Sequence, residues 1–80
     1  MLIKYIHSAM HHAHYEFLKS DRLFYGEIPK CKGVYATGKT LEDCRDQLEQ
    51  ILEEWVLFRI SKNLDIPRIN GVILNVKEVG

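Results

Sequence analysis

Four histidines crowd the first fourteen residues, His7, His11, His12 and His14. His7 and His11 stand four residues apart, which on a helix puts both imidazoles on one side, a spacing that zinc sites use. A zinc site needs a third and fourth ligand, and no carboxylate or cysteine is fixed beside this pair, so ordinary surface histidines and no metal are expected. Glu16, Glu42 and Glu49 are the acids that a metal-dependent nuclease could recruit. That chemistry needs several carboxylates converging on ions about 3.5–4 Å apart. The last apolar segment carries Asn75 where an acid would be needed, and Asp65 reads as a loop residue. No catalytic residues are therefore assigned. Cys44 opens a helical stretch, where the dipole lowers a thiol pKa, but no histidine is placed near it, and packing is the expected role. Lys30, Lys32 and Lys39 lie around Tyr25 and Tyr35, a pairing of charge with stacking that single-stranded nucleic acid would use. Such a cluster is more commonly a solvated strand end.

These residues need a scaffold, and eighty residues fit one domain, 1–80, with a modest core. Eleven basic residues balance eleven acidic ones, which removes the positive field of a dedicated nucleic-acid binder. Cys31 and Cys44 form no CxxC pair, consistent with free thiols in a reducing cytosol. No apolar run reaches the roughly 18 residues of a membrane span, and the amino terminus lacks a signal-peptide pattern. The expectation is a cytoplasmic protein with no membrane contact and no cofactor.

Leu2, Tyr5, Ile6, Ala9 and Met10 recur at helical spacing and predict a short amphipathic helix. From Ala13 the period changes to two, with Ala13, Tyr15 and Phe17 on one side and His14, Glu16 and Leu18 on the other. Lys19 to Arg22 is turn-like, Leu23 to Ile28 reads as a second strand ended by Pro29, and Val34 to Thr37 as a third. Thr40 is a good N-cap for a long helix with Glu42 and Asp43 in its first turn. Leu41, Cys44, Leu48, Ile51, Leu52 and Trp55 form its apolar stripe, which broadens at Val56, Leu57, Phe58 and Ile60. Asn63 and Pro67 terminate it. A last strand is expected from about Val72 to Val76.

Burying these faces gives an α+β, two-layer sandwich of order α-β-β-β-α-β, with a three-strand antiparallel meander packed on one long helix. Small residues at Gly26, Ala36 and Ala13 let the helix approach. The opposite face carries Tyr25, Glu27, Tyr35 and Thr37 and has no evident cover, except what the first helix offers. Those four residues are the expected partner-binding or oligomer surface.

The segments Ala13-His14-Tyr15-Glu16, Phe24 to Pro29, Gly33-Val34, Ala36-Thr37-Gly38 and Thr40 to Cys44 resemble, in order and spacing, the HicB-like antitoxin family. That family shows a strand, an acidic-glycine turn, a strand ending in proline, a Pro-x-x-x-Gly segment and a Gly-x-Thr helix start. Pro29 to Gly33 and Gly38-Lys39-Thr40 supply the last two here. Departures are Asp21-Arg22 at the turn, Lys30 in place of an acid, and Cys44 in place of alanine. The resemblance implies a partial ribonuclease-H-like fold and an antitoxin that neutralises a small, basic, HicA-like ribonuclease toxin by direct binding, and it implies dimers or higher homo-oligomers. Many members also carry a carboxy-terminal DNA-binding domain, which eighty residues are not expected to hold. Nucleic acid is an unexpected partner, and an RNA-binding or solitary regulatory domain of the same fold is the alternative.

Overall fold

The computed structural model describes residues 2–69. The chain runs through helix α1 (Leu2–His11), strands β1 (His14–Leu18), β2 (Leu23–Glu27) and β3 (Tyr35–Gly38), and helix α2 (Leu41–Ser61). The three strands form one antiparallel sheet in the order β1-β2-β3. This is the expected α+β arrangement of a meander packed on one long helix. The last expected strand, Val72 to Val76, lies outside the described residues.

Helix α1 forms where the spacing places it, with Tyr5, Ile6, Ala9 and Met10 buried and Ile3, Lys4, His7 and His11 exposed. It packs against α2. It therefore joins the helical layer rather than covering the far face of the sheet. Tyr5, fully buried, donates its hydroxyl to the Pro67 carbonyl and ties α1 to the chain beyond α2.

The β1–β2 connection is a tight turn in which Arg22 adopts a left-handed conformation, φ 54°. This is where the resembled family places glycine, the residue that takes positive φ without steric cost. After β2, the Ile28 amide donates to the Val34 carbonyl at 3.2 Å, and the Cys31 amide to the Ile28 carbonyl at 2.9 Å. The loop therefore folds inward on buried Ile28, Cys31 and Val34, with Gly33 at φ 97° turning the chain back.

Helix α2 begins as its sequence dictates. The Thr40 hydroxyl accepts from the Asp43 amide at 3.0 Å and satisfies one of the free amides of the first turn. Asn63, at φ 56°, ends the helix in the left-handed region. Cys44, Leu48, Leu52 and Val56, one turn apart, are fully buried, whereas Ile51 and Trp55 are half-buried flanks of that row. Trp55 thus lies at the margin of the core, with the Arg59 guanidinium 4.9 Å above its ring. The broad apolar end is covered on one side only, since Leu57 and Phe58 remain exposed.

The helix can lie this close because the sheet beneath it is nearly bare. A Cβ on Gly26 would sit 3.2 Å from the Cys44 sulfur and 2.9 Å from the Tyr15 ring. One on Gly38 would overlap the Cys44 backbone itself. The Cys44 thiol donates to the Ala36 carbonyl at 3.5 Å, a weak bond at the tightest point of the interface.

Candidate binding surface

Strand register decides which side chains share a face. Tyr25 stands opposite Thr37 and Glu16, and Glu27 stands opposite Tyr35 and His14. Cross-strand partners point the same way, as do residues two apart along a strand. Tyr25, Glu27, Tyr35 and Thr37 therefore share one face, together with His14 and Glu16. On the other face lie Tyr15, Gly26 and Ala36, beside α2. The two expected tyrosines are brought together, with ring centroids 6.2 Å apart and planes inclined at 27°. The Tyr25 hydroxyl donates to a Glu27 carboxylate oxygen at 3.0 Å. That bond holds the Tyr25 phenol above its ordinary pKa, because ionisation would remove the proton it donates. The pair is a partly fixed aromatic platform with a carboxylate at its edge. Its Tyr35 ring is 58% exposed. At the β3 edge, Tyr35 and Thr37 border a hollow shared with Gln47 and Ile51 of α2. His14, Glu16, Tyr25 and Glu27 border a shallow hollow of 230 Å³ at the β1–β2 end of the same face.

The other candidates are separated by the fold. Glu16 lies on the open face, while Glu42 and Glu49 belong to α2 on the opposite side of the sheet. Those three acids do not converge. Lys30 and Lys32 precede β3 and Lys39 follows it, so the three lysines are split between the two ends of that strand. The histidines divide three ways. His7 and His11 border a cavity between α1 and α2, His14 joins the open face, and His12 buries its Nε2 without a partner among the described residues. The described residues contain no cluster of three or more histidine, cysteine or acidic side chains arranged to hold a metal. Both cysteines are buried, and burial pushes each thiol up from its ordinary pKa. At both sites burial disfavours the thiolate that a nucleophile needs.

One surface escaped the sequence reading. Helix α2 packs on β3 and β2, and among the described residues it leaves the helix side of β1 largely uncovered. Tyr15 and Phe17 are consequently part-exposed there, with Phe17 braced against Phe24 at 5.1 Å. Beside Tyr15 opens a cavity of 420 Å³ that reaches His7, Leu41, Arg45 and Glu49. Leu41, counted on the apolar stripe, in fact lies at its edge, facing this opening and nearly half exposed. Helical spacing alone does not reveal which strand a helix leaves bare.

Comparison with known proteins places these features in a family. A family model described as UPF0150-like matches residues 4–75. A crystal structure described as that of TTHA0281 from Thermus thermophilus shares 40% sequence identity. The match covers 92% of this chain and 91% of that chain, with a TM-score of 0.87. No curated protein matches the chain. Among the described residues, no helix is long and apolar enough to cross a membrane.

Proposed function

The chain belongs to the UPF0150-like family, and from that membership we propose that it is an antitoxin-like protein-binding module. Its order of motifs resembles HicB-like antitoxins, which makes a small, basic, HicA-like ribonuclease the fitting target. The observation that carries the reading is the uncovered sheet face with its stacked Tyr25–Tyr35 pair. Tyrosine offers a large contact area with little rotamer entropy to lose, which suits the centre of a protein interface. The stack and the Tyr25–Glu27 hydrogen bond lower that cost further by holding the rings before binding.

Charge favours protein over nucleic acid as the partner. Glu16 and Glu27 flank the tyrosines, where a phosphate backbone would meet repulsion, and the lysines sit at the strand ends. The reading is non-enzymatic: the acids that might bind metal are split across the sheet, and both thiols are held protonated by burial. Tyr25, Glu27, Tyr35 and Thr37 form the face through which copies associate, and that assembly presents the surface offered to the toxin.

Co-expression tests this. A HicA-like ribonuclease encoded beside this chain should arrest growth alone, and the chain should relieve the arrest and co-purify with the ribonuclease. Continued arrest, with no complex on the affinity column, would overturn the antitoxin reading.

A further inference from the structure

The uncovered helix side of β1 continues into a second hollow, and together they make a trough along α2. The second hollow measures 240 Å³; its apolar lining is Leu2, Ile3, Ile6 and Leu57, and its polar lining is His7, Glu49 and Glu53. His7 and Glu49 border both hollows, so the two are contiguous. Ile3 is 74% exposed and Leu57 52% exposed. These are large side chains to leave in water, and they stand on facing walls.

Three observations identify what fits. Neighbouring strands lie about 4.8 Å apart and a helix with its side chains is about 10 Å wide, so one helix covers roughly two strands. Helix α2 occupies the space above β2 and β3, and among the described residues it leaves the one-strand width above β1 open, so a docked helix would overhang the edge of the sheet. The lining is largely apolar, which suits a helix with an apolar stripe. The wall supplied by α2 carries Glu49 and Glu53, with Arg45 towards Leu41, and over its whole length α2 holds six acids and two arginines. The chain as a whole carries no net charge, so this helix concentrates its acids. We infer that the trough between α1 and α2 is a docking groove for an amphipathic helix of a partner protein, with lysine or arginine flanking its apolar stripe.

This rests on the protein-binding reading and deepens it, assigning the partner to the helical side and leaving the tyrosine face to self-association. The probe is a fluorescent peptide of roughly 18 residues, with leucine at helical spacing and lysine elsewhere. Binding is read by anisotropy, and amide shifts in nuclear magnetic resonance spectra locate it. The peptide should shift the amides of Tyr15, Leu41 and Leu57, and a leucine–glutamate analogue should bind at least tenfold more weakly. Ile3→Asp with Leu57→Asp, both at exposed positions, should weaken binding at least tenfold, as should Glu49→Lys with Glu53→Lys. Circular dichroism checks that each variant is folded. Gln50→Ala, at an exposed position of α2 that borders neither hollow, should leave peptide affinity unchanged.

Equal affinity for the Ile3/Leu57 variant would overturn the proposal, as would shifts confined to Tyr25–Thr37, or no binding at high micromolar concentration. A trough closed by a second copy would appear as a dimer lost on Ile3→Asp with Leu57→Asp and no peptide binding, which also overturns it. The co-expression assay is separate. Rescue of growth without groove-dependent peptide binding removes the groove alone, and groove binding without rescue removes the antitoxin reading alone.

Discussion

At the scale of the residue, the tightest point in the molecule is the contact between Gly38 and the first turn of α2. A Cβ at position 38 would lie 2.8 Å from the Cys44 Cα, and backbone atoms cannot swing aside as a side-chain tip can. Gly38→Ala should destabilise the fold by about 1–3 kcal/mol, the range for overpacking a close-packed site, measured by urea unfolding. Gly33→Ala should act by another route, because nothing crowds that position and only its positive φ resists a side chain. The buried ionisable groups make a second residue-scale prediction. Burial raises the Cys31 and Cys44 thiols above their ordinary value of 9.0 and the Tyr5 phenol above 10.0. Above about pH 9 the unfolded chain therefore holds fewer protons than the folded one, and stability falls as pH rises. The urea midpoint should be level up to about pH 8 and decline towards pH 10. Cys31→Ala with Cys44→Ala should flatten that decline, although the variant will be less stable throughout. A midpoint rising over the same interval would contradict the assigned burial.

At the scale of the element, the row Cys44, Leu48, Leu52 and Val56 binds α2 to the rest of the molecule. Leu48 is fully buried, so Leu48→Ala should cost about 2–5 kcal/mol. Trp55 is half-buried and shares its ring with Arg59. Trp55→Ala should therefore cost less than the roughly 3–5 kcal/mol of a fully buried tryptophan. Gln50→Ala, on the solvent side, should stay within about 0.5 kcal/mol. If Trp55→Ala proved costlier than Leu48→Ala, the rotation of α2 on the sheet would be misassigned. Helical periodicity in the sequence marks the apolar arc of α2 broadly, as Leu41 to Ile60. It does not say which part of that arc meets the sheet, because a 21-residue helix extends past its partners and its flanks end wherever the sheet ends.

At the scale of the whole molecule, the thin two-layer core and the open sheet face are the grounds for the proposed self-association. Tyr25 and Tyr35 are stacked and ready for burial, and closed homo-oligomers, dimers first, are the usual way to cover such a face. Size exclusion with light scattering should return a mass above that of the monomer at high micromolar concentration. A strictly monomeric mass would refute the association. A dimer surviving Tyr25→Asp with Tyr35→Asp would place the interface elsewhere on the chain.

Local and periodic features were legible in the sequence. The N-cap at Thr40, the stop at Asn63, the helical face of α1 and the alternation of β1 each depend on residues within a few positions of one another. The same alternation, combined with a meander, sufficed to put Tyr25, Glu27, Tyr35 and Thr37 on one face. Contacts between distant segments were decided only by the tertiary structure. Nothing in residues 2–11 states that α1 docks on α2 rather than on the open face. That choice follows from matching Tyr5 to Pro67 and to the inward loop at Cys31, across most of the chain. The trough over β1 has the same origin. It exists because one helix is about two strands wide, a mismatch of widths that arises only when layers are stacked and that no pattern along a single strand or helix encodes.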